Sequence, residues 1–463
     1  MMILIVDVGS SSTRAILYQQ SKDGVVAIID SIVRQTYQFD TDKSGQAVID
    51  AVQLRYWVEA CIDQCLAHDA IQDNNIVAVG MTTFAGNLLL LDADNHPLIP
   101  LDTYADTRST DYIADLSSQV DVSAHHQRPG TLLTSAYYLP KLRYHAQTIA
   151  QSSVTTVCDF ATYCYRHWFR DATPMSYSMA SWSGMLNRET LTWDTASVTA
   201  SQWSKAIFPK LADVTQSQIG LTTAYQKRWH ALADVPFYLA IADGAAAQIG
   251  SGALLPNTAT LTVGTTAAIR TVHQADIDPS PTVPDGCWSY RIDQDHHLIG
   301  GALSEGGNIF AWASQTLALN LETLENDLAQ RQVASHGLTV LPLLNGERSP
   351  KWRADATGTI HGLRLSTTAL DIVHALLESV ALRLAQVATQ LNLAPTIQMM
   401  AGGGALHHSS AFTQMIADAL GRNIHLLDTA EVTAQGVAHL IDCHLNQQAL
   451  TGVHPKMTQI YRP

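Results

Sequence analysis

One arrangement constrains this chain more than any other: an apolar strand that runs into a carboxylate and then a glycine turn, with a second turn of the same make half a chain later. Ile3-Leu4-Ile5-Val6 reads as a buried strand, and Asp7-Val8-Gly9-Ser10-Ser11-Ser12-Thr13-Arg14 follows at once. Such a turn suits phosphate and a metal ion. Gly lets the backbone come close, bared N–H groups and hydroxyls donate to phosphate oxygens, and Asp can hold Mg2+ directly or through water. A single Asp-x-Gly-Ser also makes an ordinary hairpin. The segment Thr260-Leu261-Thr262-Val263-Gly264-Thr265-Thr266-Ala267-Ala268-Ile269 repeats the pattern of apolar run, glycine, two hydroxyls and small residues. The repetition predicts one α/β fold duplicated, with a cleft between the copies.

With 463 residues the chain exceeds one ordinary core, so two domains are expected, residues 1–235 and 236–463. Its net charge of −14 argues against nucleic acid or an anionic membrane as partner, so an anionic ligand must be met by local donors. The sequence shows no run of about 18 apolar residues, and Asp7 interrupts the short apolar start, so neither a membrane span nor a signal peptide is expected. A cytoplasmic protein with buried thiols fits the six scattered cysteines. The doublets His125-His126, His296-His297 and His407-His408 point their side chains in different directions on helix or strand. They are poor metal sites and are expected on the surface or in loops.

Strand-like and helix-like segments alternate. Ala51 to His68 predicts an amphipathic helix, Ile76 to Thr82 a buried strand, and Leu88 to Leu91 a strand entering an Asp/Asn turn. Residues 159–210 read as helices with loops. Tyr238-Leu239-Ala240-Ile241-Ala242 predicts a strand entering Asp243. Thr367 or Thr368 caps a long helix with the stripe Leu370, Val373, Leu377, Val380, Leu384 and Val387. A short strand at Ile397-Gln398-Met399-Met400 leads into Gly402-Gly403-Gly404, and a later helix stops at Leu420 with Gly421.

Three segments carry chemistry. Asp243-Gly244-Ala245 puts a carboxylate at a strand end beside small residues, open to a cleft; the plainer alternative is a helix N-cap. Gly402-Gly403-Gly404 between strand and helix suits anions and flat ligands, or simply a tight turn. It lacks the dinucleotide spacing, and no Walker-type loop exists in the sequence. Tyr104-Ala105-Asp106-Thr107-Arg108 offers a ring, an acid and a base for polyol recognition, with a surface salt bridge as the plainer reading.

Taken in order, these pieces resemble the FGGY family of carbohydrate kinases. The resemblance also uses Asp92, Gly300-Gly301-Ala302, Gly306-Gly307-Asn308, Gly346-Glu347-Arg348-Ser349-Pro350 and Ala430-Glu431-Val432-Thr433-Ala434-Gln435-Gly436. It implies two ribonuclease-H-like domains of the actin and hexokinase kind, closing on ATP·Mg2+ and a sugar, with a homodimer left open. It makes Asp243 the base that accepts the sugar hydroxyl proton and Asp7 the support for Mg2+. Gly9, Ser10, Ser11, Gly264, Thr265 and Thr266 then hold phosphates, while Gly307, Gly403, Gly404 and Ser409 bind the nucleotide. The substrate falls to Gly86, Tyr104, Asp106, Thr134 and Asp243. Thr265 to Arg270, Gly300 to Ser304 and Glu347 to Trp352 look most like gluconokinases. Gly86 and Thr134 stand where those relatives usually place His, and Trp182 where Gly is usual; a missing side chain at Gly86 would enlarge the pocket.

The expected activity is therefore phosphoryl transfer from ATP to a sugar or sugar acid, gluconate first and a pentulose such as xylulose second. Two other classes compete: a non-catalytic ATP-driven conformational protein of the actin or chaperone fold, and a nicotinamide dehydrogenase. The Asp243 motif speaks against the former, and the absent dinucleotide fingerprint against the latter.

Overall fold

The computed structural model describes every residue except 23, 72–74, 277–280 and 429–430, so Ala430 of the last motif lies outside the described residues. Two lobes repeat one sheet connectivity. In the first, Met2–Val8 (β1) pairs antiparallel with Ser12–Ser21 (β2), and β2 with Gly24–Ala27 (β3). Ile76–Thr83 (β4) lies parallel on the other side of β1, and Phe237–Tyr238 (β5) lies parallel beyond β4. Ile241–Ala242 (β6) pairs with the end of β4. In the second, Thr258–Val263 (β7) and Ala267–Gln274 (β8) form the hairpin. Trp288–Arg291 (β9) and His296–Leu303 (β10) extend it from the β8 side. Gln398–Gly402 (β11) and Ile424–Leu427 (β12) run parallel on the β7 side. Each lobe thus has an antiparallel hairpin with two later strands parallel on the side of its first strand; the spatial order is β3-β2-β1-β4-β5 in the first and β9-β10-β8-β7-β11-β12 in the second.

Helices cover these sheets. Ala51–Leu66 (α1) starts at Asp50, whose side chain accepts from Gln53 N. The short Tyr177–Trp182 (α2) leads to the cleft. Asp243–Gly250 (α3) follows β6 directly. In the second lobe lie Gly307–Thr316 (α4), Ala369–Gln390 (α5) and Ser410–Leu420 (α6). Thr368 caps α5 in a reciprocal pair with Asp371, as the Thr-x-x-Asp spacing allows. That helix is long and apolar enough to meet a length-and-composition test for a membrane span. Its stripe of Val373, Leu377, Val380, Leu384 and Val387 is instead buried in the second core.

The boundary expected at residue 235/236 is displaced. β5 and β6 join the first sheet, and Ala245, Ala246 and Ile249 of α3 lie in the first core. Val432–Leu445 (α7) returns to that core as well, through Val437 and Ile441. The two helices cross backbone to backbone: a side chain at Gly250 would collide with the Val432 carbonyl, and one at Gly436 with that of Ala246. The links between the lobes also touch, since a Cβ on Gly252 would stand 2.9 Å from Val453 O and one on Gly452 2.6 Å from Leu255 N.

Two further expectations change. The strand foreseen at 238–242 is interrupted at Leu239-Ala240, where the Ala240 carbonyl accepts from Ser176 Oγ. Two of the histidine doublets are buried, not superficial. His126 Nε2 pairs with Cys287 O at 2.8 Å, burial pushes His125 down to about 4, and His296 binds Asp293. Only His407-His408 is exposed.

Candidate active site

The second glycine turn is the best-defined part of the site. It sits at the β7–β8 corner, where Gly264 N donates to Thr266 O (2.9 Å). Gly307 N, at the start of α4, donates to Gly264 O at 2.7 Å, and a Cβ at Gly307 would stand 2.9 Å from that oxygen. Gly403 has φ +110, and a side chain there would run into the Val263 carbonyl. Three distant glycine segments therefore meet backbone to backbone, which no larger residue permits. Gly264, Thr265, Gly307, Gly404 and Ser409 line one cavity of about 1030 Å3, whose walls include Phe310, Leu377 and Phe412. Apolar walls beside this glycine turn and its hydroxyl residues suit a flat base joined to phosphates. The Ser409 hydroxyl accepts from Phe412 N and donates to Glu325 Oε2 (2.7 Å), so it holds α6 in place at the rim.

The first turn is held differently. Asp7 and Arg14 are direct cross-strand partners in the β1–β2 hairpin, and their side chains pair at 2.6 Å. Arg14 also binds Glu431 at the start of α7 (2.6 Å). Gly9 N donates to Ser12 O (2.9 Å), and the Tyr37 hydroxyl donates to the Gly9 carbonyl. Ser11 is exposed, and Ser10 partly so. Burial pushes the Asp7 carboxyl up to about 6, against the pull of Arg14. Its Oδ2 is committed to Arg14, while Oδ1 has no partner among the described residues.

Asp243 is the first residue of α3, and the cap position belongs to Ala242. The N-cap alternative is thereby corrected. Asp243 Oδ1 accepts from its neighbour Gly244 N (2.7 Å) and from Ala85 N (3.2 Å) in the loop after β4. Burial pushes its carboxyl up to about 6, the two N–H donors pull it down, and the charge of Asp7 raises it further. Two carboxylates from opposite ends of the first lobe's sequence thus feel each other at one end of its sheet. Such a pair favours a proton or a cation between them.

The substrate residues divide. Gly86 follows Ala85 and so adjoins Asp243, but its φ of +70 explains the glycine. A Cβ would sit 3.1 Å from both Ala136 O and Tyr104 Cβ. Its missing side chain therefore opens no extra space, contrary to expectation. Tyr104 is exposed beside it, edge-on to Phe39, and Thr134 accepts from Tyr137 N in the adjoining turn. Asp106 does not face a ligand. It is buried, its oxygens taken by Ala47 N (3.1 Å) and by Arg108 Nε (2.9 Å), while Arg108 also binds Asp102. Asp106 and Arg108 thus brace this loop from within, while Tyr104 stays exposed.

Several residues at the site carry no earlier assignment. Arg14 stands in the first motif, and hairpin register alone could have paired it with Asp7. Tyr290 and Trp288 leave no local signal, because their contacts join separate strands and both lobes; Trp182 and Arg270 stand out only through the gluconokinase resemblance. Trp182 packs against Gly244 and stacks on Tyr290 at 3.8 Å.

Known proteins match along the whole chain. Residues 2–250 match the N-terminal domain of the FGGY family of carbohydrate kinases, and residues 259–441 its C-terminal domain. The gluconokinase of Bacillus subtilis (strain 168) is 26% identical over 95% of this chain and 86% of its own. The xylulose kinase of Staphylococcus xylosus is 22% identical over 82% and 77%. The solved gluconate kinase of Lactobacillus acidophilus superposes with a TM-score of 0.90 at 25% identity, covering 100% of this chain and 93% of its own. The ligand-bound xylulose kinase of that organism gives the same score and identity over 100% and 94%. With both domain models matched in order across two repeated lobes, the chain belongs to the FGGY family of carbohydrate kinases and is a sugar-kinase phosphotransferase.

Proposed function

We propose that this kinase transfers the terminal phosphoryl group of ATP to a hydroxyl of a sugar acid of the gluconate class, with Asp243 as general base. The observation that carries the reading is the setting of Asp243: at the start of a helix, held through one oxygen by Ala85 N and Gly244 N, and pushed up to about 6. A carboxylate so held keeps its second oxygen for a substrate hydroxyl and is a better base than an exposed one. The Gly264–Thr266 turn and the N-terminus of α4 stabilise charge on the phosphate oxygens. The cleft between the lobes excludes water when it closes, so transfer wins over hydrolysis.

Mg2+ fits the site through Asp7, whose free Oδ1 and whose mutual repulsion with Asp243 both favour a cation there. When bound, the ion neutralises charge on the transferred phosphate. Gluconate is favoured by the two gluconokinases, from Bacillus subtilis (strain 168) and Bacillus licheniformis, at 26% identity and by the run Thr265 to Arg270. A coupled ADP-release screen over aldonic acids, ketoses and polyols tests this. The highest kcat/KM is expected with gluconate; turnover of xylulose or glycerol with no aldonic acid accepted would refute it.

A further inference from the structure

The face of the second sheet that looks into the cleft carries a cation, Arg270, that forms no ion pair among the described residues. Along β8, Ala267 and Ile269 point into the second core, so Arg270 and Val272 point the other way, and Val272 packs against the first core. Arg270 faces Gly300 across the sheet, and Gly300 faces Trp288. Because Gly300 has no side chain, the Trp288 indole lies across it; a Cβ there would stand 2.6 Å from Cη2. The Arg270 guanidinium comes within 5.8 Å of the centre of that ring. Trp288 lies 4.8 Å from Tyr290, which stacks on Trp182 beside Gly244. An aromatic wall therefore runs from Arg270 in one lobe to the residue next to Asp243 in the other.

The Tyr290 hydroxyl of this wall pairs with that of Tyr137 (2.5 Å), but two N–H donors have no partner among the described residues. Arg270 Nη1 donates to Thr262 Oγ1 at 3.2 Å, but its Nε has no partner, and no carboxylate among the described residues forms an ion pair with it. Asp243 is near enough to be felt by Arg270 but spends its Oδ1 on backbone N–H groups. Trp182 Nε1 is also buried without a partner among the described residues. A desolvated guanidinium left unpaired is costly, and its planar fork matches a carboxylate.

We propose that Arg270 takes a carboxylate of the substrate and so determines specificity for sugar acids over uncharged polyols and ketoses. This deepens the reading above and rests on Asp243 as the base. The competing anion is the transferred phosphoryl group. Against it, Arg270 lies four residues along β8 from Thr266, roughly 13 Å by strand rise, although its bond to Thr262 draws the head back toward the turn.

The test compares gluconate with its uncharged reduced counterpart, glucitol, in wild type, Arg270→Gln and Arg270→Lys. Wild type is expected to prefer gluconate. The gluconate-to-glucitol ratio of kcat/KM should collapse about 30-fold or more in Arg270→Gln, as when one partner of a buried charge pair is removed. Arg270→Lys should fall between, since it keeps the charge and loses the fork. A wild-type enzyme with no preference for the acid overturns the proposal without any variant. Equal losses on both substrates, which leave the ratio unchanged, overturn it in favour of a phosphoryl contact, and kcat/KM unchanged on both shows that Arg270 does not face the substrate. Calorimetric binding of gluconate to Asp243→Asn and to Arg270→Gln separates the two readings. Full activity in Asp243→Asn removes the base, whereas undiminished gluconate binding by Arg270→Gln removes only the carboxylate contact.

Discussion

Replacing Asp243 by Asn should move activity and stability in opposite directions. The amide oxygen can keep the bonds from Gly244 N and Ala85 N, so the local geometry survives. What is lost is the capacity to accept a proton, which typically lowers rate about 10²–10⁴-fold. Stability follows from the raised carboxyl. Its ordinary value of 3.8 is pushed up to about 6 in the folded protein. Between those values the folded state binds more protons than the unfolded one. Stability therefore falls as pH rises through this window, and the full cost stands above about pH 6. The shift corresponds to about 1–3 kcal/mol, taking its upper end from 1.36 kcal/mol per unit and allowing for partial exposure. Asn carries no charge and escapes that cost. The variant should be more stable than wild type at pH 7.5 by up to this amount, with the difference vanishing near pH 4. Denaturant melts at the two pH values, alongside kcat from coupled ADP release, measure both effects. A variant with unchanged kcat refutes the base, and one with a pH-independent stability difference refutes the buried-charge argument.

Three further outcomes are expected. Asp7→Asn should raise the Mg2+ concentration needed for half-maximal rate at least about tenfold while leaving sugar binding by calorimetry nearly intact; the reverse pattern would place Asp7 on the sugar. Gly403→Ala must bear a φ of +110 and a collision with Val263, so it should lower the melting temperature and raise the KM for ATP, with the KM for sugar little changed. Gly86→His should lose roughly 1–3 kcal/mol of stability through its φ of +70, and a stable variant with merely altered substrate preference would show that the loop relaxes.

The sequence was most legible where structure is local. The β1–turn–β2 hairpin, the Thr368-capped stripe of α5 and the Gly421 stop of α6 follow from spacing and backbone chemistry within a few residues. Asp243 was legible as a cleft carboxylate, but whether it capped α3 depended on where the helix began, a matter of one residue. Less legible were features decided by partners far away in sequence. Asp106 read as a polyol contact until Ala47 and Arg108 were seen to consume its oxygens. β5 and β6 read as the start of the second lobe, since nothing local reveals that Ile241 pairs with Thr82. Arg270 and Trp288 meet only because Gly300 leaves room between them on a third strand.

The helix that begins with Asp243 ends at Gly250, pressed on Gly436, and the chain then leaves for the other lobe past Gly252, against Val453. This places a mechanical stop at the far end of the element that carries the base. One added methyl at Gly436 would push α3 away along its own short length, shifting the carboxylate relative to Ala85 without touching a ligand. Misplacement of a reacting group by about 1 Å can cost about 10²-fold in rate. Random mutagenesis scored for lost turnover, with folding retained, should therefore return hits in two patches: the walls of the cleft, and this glycine crossing at its back. In engineering such a kinase for a new sugar, the crossing is the part to leave alone.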